Sequence, residues 1–336
     1  MTKFERFILN IPFIRFLTEK SKKIVLPGFE GLPLYDVVVF YISQIRKVGL
    51  NERAAAISFN LLMAIPAATI FLCTLIPYMP FISKEISNQL LLLTRDLTPN
   101  ENTHRLVENF LDDFLFKERS SLLSIGFVVA IYYASNAMIG IMHSFNRSLI
   151  YSNKRSFFQE RWMAIKLTTV LVLMVMATVI LLVTTQGYIL RVIFEWLSIK
   201  DQTTKWIVRG LRSLIILAMF FYSIAFIYKY APAVHKRWRL SSPGAILTTV
   251  LVILLLFGFS FWVNNFGTYN KVYGSIGTIL ILMLVIYFNS LILLIGYELN
   301  VSIHSIKAMA DERARHETAQ KLQEQAEAAK PVEPVK

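Results

Sequence analysis

A single cysteine, Cys73, stands in 336 residues, which excludes a disulfide framework or a cysteine metal site within one chain. It lies in an apolar stretch, where a buried thiol is the expected state. Acids are scarce too: 22 Asp and Glu against 35 Lys and Arg leave a net charge of +13. The histidines, His104, His143, His235, His304 and His316, are scattered singly, and the adjacent acids Asp112 and Asp113 fall in a loop assigned below to the outer side. A metal-dependent hydrolase needs such groups clustered to hold its ions and activate water. The glycine-rich phosphate loop of nucleotide-binding proteins is missing as well. No metal and no cofactor are expected. The opening stretch MTKFERFILNIPFIRF is interrupted by Pro12 and Arg15 and lacks a small-residue cleavage site, so it reads as retained rather than as a signal peptide.

Apolar residues, by contrast, are abundant. They make up 55% of the chain, the mean hydropathy is +0.52, and they are bunched into long uncharged runs. Six runs reach the roughly 20 residues that a helix needs to cross a bilayer: 54–77, 120–143, 163–186, 210–230, 243–264 and 274–301. Arg212 and Lys229 bracket the fourth, where both can snorkel to the interfaces. Open sheets leave backbone groups unsatisfied in lipid, and the runs are too long for barrel strands. The expected fold is all-α, a polytopic bundle of six transmembrane helices.

Lys and Arg crowd the N-terminal segment, the loop after span two (Arg147, Lys154, Arg155, Arg161), the loop after span four (Lys229, Lys236, Arg237, Arg239) and the tail. The positive-inside rule therefore places both termini in the cytoplasm. The net charge then needs no nucleic acid to explain it and suits an anionic lipid surface. Three regions follow: a cytoplasmic segment 1–53, a membrane domain 54–303 and a charged tail 304–336. In the first, Leu34, Val37, Val38, Tyr41, Ile42 and Ile45 recur at helical spacing. This amphipathic helix either lies on the cytoplasmic face or packs under the bundle. Asn51 reads as the cap of the first span. Between spans one and two, Ile86, Leu90, Leu93 and Leu97, then Leu106, Phe110, Leu111 and Phe114, form two stripes separated at Pro99, which predicts two short extracytoplasmic helices. The tail reads as a solvated helix fraying into PVEPVK.

Polar residues inside spans are the best functional clues. At 100° per residue, Asn289, Gly296 and Asn300 share one face of span six, and Tyr287 and Glu298 lie near the opposite one. Gly296 admits a close neighbour, and asparagine there bonds across the contact, so Asn289 and Asn300 are expected to hold helices together. Glu298 serves either as half of an ion pair with a Lys or Arg, or as a substrate or proton site. In span one Ala56, Asn60, Ala64 and Ala68 form a small-residue stripe. Pro66 there frees a carbonyl, for static packing or for a hinge. Ser135, Asn136, His143 and Asn146 extend the polar set.

The segments AAAISFNLLMAIPAATIF, APAVHKRWRLSSPGAIL and YGSIGTILILMLVIYFNSLILLIGYELN resemble the YihY/BrkB family of bacterial inner-membrane proteins over about residues 35 to 305. The resemblance implies Pro66, Asn146, Pro232, Pro243, Gly244, Tyr273, Gly274, Gly296 and Glu298 as signature positions. Tyr297 stands where the family often has alanine. The resemblance also carries an old "ribonuclease BN" label, which the scattered acids and histidines do not favour. The expected role is transport or translocation of a lipid or other envelope component in a bacterial inner membrane. The alternative is a non-catalytic scaffold for envelope assembly. Expected partners are membrane phospholipids, anionic ones included, and either a second copy or an envelope protein.

Overall fold

The computed structural model describes residues 19–75, 120–149, 155–184, 202–234, 238–265 and 268–328. The expected helices between 78 and 119, the opening sixteen residues, His235 and the PVEPVK end lie outside the described residues. Within them run α1 (Leu34–Lys47), α2 (Leu50–Leu75), α3 (Ser120–Asn146), α4 (Phe157–Thr184), α5 (Gln202–Tyr230), α6 (Pro243–Asn265) and α7 (Thr268–Ala328). Helices α2 to α7 each contain a stretch long and apolar enough to cross a membrane, and these follow the six apolar runs.

Local chemistry sets several helix starts. Ser156 and Gln159 form a reciprocal capping box: Gln159 N–H donates to Ser156 Oγ (3.4 Å) and Ser156 N–H to Gln159 Oε1 (3.2 Å). At α6, Ser242 Oγ accepts from Ala245 N–H (3.3 Å), and Pro243 takes the first helical position, where its missing N–H costs nothing. Asn51, in contrast, does not cap α2. The helix begins one residue earlier, at Leu50, because Leu50 is drawn into the core.

Packing closes a ring: α2 on α3, α3 on α4, α4 on α5, α5 on α6, α6 on α7 and α7 back on α2, with α1 laid against α7. The main core gathers Leu50, Ala54 and Ile57 of α2, Met138 to Phe145 of α3, Ala164 and Leu167 of α4, Ile224 to Ala231 around the end of α5, Ala245 of α6, and Leu294 to Val301 of α7. In chain direction these positions share one end of the bundle, the end the basic loops flank; it is called the basic end below. The outer surface carries Phe59, Val128, Leu173, Leu214, Phe257 and Phe261 in the open, an exterior that lipid satisfies and water does not.

Helix α1 packs against α7, the second of the two positions that its sequence allows. Val37 is fully buried beside Phe29 and Ile303, and Tyr41 Oη donates to Ile295 O (3.1 Å). Val38, Val39 and Ile42 stay exposed on the other side. The region boundaries expected at 53/54 and 303/304 both fall inside continuous helix. Arg53 belongs to the first turn of α2, and α7 runs unbroken into the tail, its buried stripe ending near Ser305. Helix α2 likewise continues through Pro66.

Candidate functional site

The site forms where α7 meets α2, α3 and α6 at the basic end. On α7 the buried positions Leu294, Tyr297, Glu298, Val301, Ser302 and Ser305 recur at the three- and four-residue spacing of one helix face. That face carries Glu298 inward.

Toward α6, the contact is built from small residues. A Cβ on Gly244 would overlap the Gly296 carbonyl, and one on Gly296 would overlap Thr248 Oγ1 and reach 2.7 Å from the Gly244 carbonyl. The two backbones touch because both residues are glycine. Tyr228 of α5 seals this crossing. Its Oη donates to Leu293 O (2.6 Å), so Thr248, 2.5 Å away, donates to it. Asn300 spans the same contact: its Oδ1 accepts from Gly244 N–H (2.8 Å) and its Nδ2 donates to Ser242 Oγ (2.9 Å). It thereby satisfies one of the donors that the first turn of α6 leaves free.

Toward α2 and α3, the contact is ionic. Arg53 Nη1 lies 3.0 Å from Glu298 Oε1, with the two side chains 3% and 0% exposed. Ser148 Oγ donates to the same carboxylate oxygen, and Arg53 Nη2 donates to Ser144 O. One carboxylate thus ties together the start of α2, the end of α3 and the middle of α7. Glu298 Oε2, Arg53 Nε and Tyr297 Oη are buried without a hydrogen-bond partner among the described residues. Tyr297 stacks flat on Phe145 with ring centroids 3.8 Å apart. Burial, and secondarily the Glu298 charge, push the Tyr41 hydroxyl up to about 12. It therefore stays protonated and keeps donating to Ile295 O.

The other expected residues divide. Asn146 Oδ1 accepts from Ala233 N–H (2.9 Å), and Arg155 donates to Ala231 O and Pro232 O (3.0 Å each), so the C-terminal carbonyls past α5 are met by a cation. Asn136 Oδ1 accepts from Arg161. Asn60 donates to Ala56 O in its own helix (3.0 Å) and lies against Gly140 of α3. Asn289 departs from expectation: its amide donates to Val285 O within α7 (2.8 Å) instead of across a contact, a local bond open to any amide in a helix. Tyr287 is half-buried at the edge of the core. Pro66 is exposed, and Tyr273 and Gly274 lie in the first turns of α7. Sequence reasoning left out Arg53, Ser148 and Arg161. Arg53 was legible: Leu50, Arg53, Ala54 and Ile57 form a strict inward stripe, which the counting of charges by segment obscured.

Beyond the glycine crossing, α6 and α7 leave a groove of about 570 Å³, lined by Leu251, Leu254, Leu255, Gly258, Phe259, Trp262, Leu284 and Ile292. Its walls are apolar. Among the described residues, no three His, Cys, Asp or Glu side chains come together in a way that could hold a metal ion.

Residues 41–322 match the family described as Virulence factor BrkB. The chain belongs to this family. Among BrkB relatives, a Bacillus subtilis protein named ribonuclease-like protein YfkH is 28% identical over 272 residues, covering 79% of this chain and 94% of that protein. A UPF0761 membrane protein of Xanthomonas campestris pv. campestris is 34% identical over 91 residues, 27% of this chain and 21% of its own. A UPF0761 membrane protein of Tolumonas auensis is 34% identical over 80 residues, 24% of this chain and 26% of its own. No solved structure matches. The BrkB chain described here is a membrane protein.

Proposed function

We propose that this BrkB-family protein sits in a bacterial inner membrane with both termini in the cytoplasm and passes a lipid or other amphiphilic envelope component across it. The observation that carries this reading is the Arg53–Glu298 pair. A buried ion pair is a poor strut, because well-packed apolar residues of similar volume are often as stabilising or more so. This one also leaves Glu298 Oε2 and Arg53 Nε buried without a hydrogen-bond partner among the described residues. Such an arrangement suits an element that exchanges partners when helices move, with α7 as the moving part and the glycine crossing to α6 as its pivot.

The test is headgroup translocation of fluorescent phosphatidylglycerol in proteoliposomes. Wild type is compared with Glu298→Gln and with Arg53→Met/Glu298→Met, which removes both charges together and so avoids an orphaned one. Movement with wild type that the folded double variant loses supports the gate. Equal movement in both keeps passage but dismisses the pair as a strut. No movement above empty vesicles sinks unaided lipid passage and favours a scaffold.

A further inference from the structure

Helix α1 carries three sectors where packing on α7 needs two. At 100° per residue, Leu34, Val37, Tyr41 and Ile45 form the sector turned to the bundle, with Val37 beside Phe29 and Ile303 and with Ile45 against the main core. Asp36, Ser43 and Lys47 form an exposed polar sector. Between these two, Val38, Ile42 and Val39 are apolar yet 40%, 46% and 50% exposed, and Tyr35 and Arg46 lie on the same arc. A helix that packs on protein and otherwise faces water has one apolar stripe and one polar face. An open apolar arc beside a polar one is the pattern of a helix lying in the plane of a membrane interface.

The contact with α7 puts α1 at that level. Tyr41 Oη donates to Ile295 O (3.1 Å), and Ile295 precedes Val301, where the last apolar run ends, by six residues, so the hydroxyl reaches about 9 Å inside that run by helical rise. Interfacial helices lie about 5–10 Å deep. At that depth the apolar arc of α1 meets acyl chains, as the bundle exterior does, and the polar arc meets water. Cations stand at both ends of the apolar arc. The Lys22 ammonium sits 5.1 Å over the ring of Tyr35, and Arg46 follows Ile42 by one turn, about 16 Å along the helix from Tyr35. Among the described residues, neither Lys22 nor Arg46 pairs with a carboxylate. Just ahead of α1, Val25 and Leu26 are exposed as well, and the bond from Leu34 N–H to Ile24 O (2.9 Å) ties their loop to the helix start.

We propose that α1 lies in the boundary layer of the leaflet at the basic end, with Val38, Ile42 and Val39 against acyl chains and with Lys22 and Arg46 binding the phosphates of anionic phospholipids. The charges that flank the arc are both positive, and each such cation adds attraction to an anionic bilayer. Their long stems can lie along apolar surface while the charged heads reach the headgroups. This surface is separate from the Arg53–Glu298 junction and holds whether or not lipid is passed.

The test uses the full chain with Cys73→Ser and one new cysteine, Ile42→Cys or Ser43→Cys, carrying an environment-sensitive fluorophore. The protein is placed in phosphatidylcholine vesicles that contain a minor share of lipid brominated on its acyl chains. Ile42 and Ser43 are neighbours on different arcs, so together they separate insertion from mere proximity. Brominated lipid should quench the label at 42 several-fold more than the label at 43; equal quenching overturns the placement. When the brominated lipid is phosphatidylglycerol instead of phosphatidylcholine, quenching at 42 should rise by about fivefold for each of the two cations. Lys22→Gln/Arg46→Gln should return that preference to near one. Both residues are exposed, so the variant should fold, and the ratio of quenching at 42 to that at 43 checks that α1 keeps its place. Should the double variant lose that ratio, the single variants carry the test, each expected to lower the preference about fivefold. A preference absent from wild type, or unchanged in the variants, overturns the headgroup site. Inorganic phosphate that abolishes the preference where chloride of equal ionic strength does not assigns the cations to a free anion and overturns the lipid.

Discussion

The α6/α7 and α3/α4 seams solve the same packing problem by opposite means. In the first, Gly244 and Gly296 let backbones touch, and the polar groups present, Asn300, Ser242, Thr248 and Tyr228, are paired in buried hydrogen bonds. In the second, charged and amide side chains meet at an edge that remains open. Lipid tails give no hydrophobic force between helices, so close packing and hydrogen bonds are what hold a membrane bundle. The first seam uses both fully. The second relies on polar side chains instead, in contacts that stay partly exposed.

The largest effect should come from breaking the tight seam. Gly296→Leu or Gly244→Leu sets a Cβ against backbone, beyond the 1–3 kcal/mol or so that ordinary overpacking costs, and purified protein should lose its monodisperse peak in detergent. Gly258 provides the contrast, because a Cβ there meets nothing within 4 Å. Gly258→Leu should fold normally and fill the apolar groove; a collapse of that variant would show that α6 packs more tightly than described.

Next in size is the ionic lock. Arg53→Gln or Glu298→Gln alone strands a buried partner, at about 3–5 kcal/mol. The Arg53→Met/Glu298→Met pair should recover most of that loss in thermal unfolding. Failure of the double variant to recover would mean that Ser148 and the Ser144 carbonyl, and not the opposing charge, are what each group needs. Smaller again is Asn300→Ala, which removes two bonds to the start of α6 and leaves Gly244 N–H and Ser242 Oγ to find others. About 1–3 kcal/mol is expected. An unchanged melting temperature would assign the crossing to the glycines alone.

Much of this was legible before any coordinates. Predominantly apolar runs of sufficient length predict six crossings, and those runs are where the helices lie. Gly296 and Asn300, four residues apart, announce a close contact, and α6 supplies it. What sequence left hidden was the partner of Glu298, since a charge close to a helix start is ordinarily assigned to the aqueous side. Only the inward stripe of Leu50, Arg53, Ala54 and Ile57 argues otherwise, and it competes with a sound rule about basic loops. Asn289 misled for the converse reason: its type suggests a cross-helix bond, but an amide in a helix can always turn to the carbonyl four residues back.

The smallest effect sharpens the comparison most. His143 and Glu160 face each other in the open seam, one largely exposed and the other partly so. Exposed pairs contribute no more than about 1 kcal/mol. Glu160→Gln should therefore shift the melting temperature little, and less at high salt. Its partner should be as replaceable: His143→Gln should give the same small shift, because the bond from Arg161 to Asn136 and the Arg161 guanidinium over the Tyr132 ring hold the seam without the pair. A loss of more than about 1 kcal/mol in either variant would mean that the open seam depends on its ionic contact as the closed one depends on its glycines, and the distinction between the two would fail.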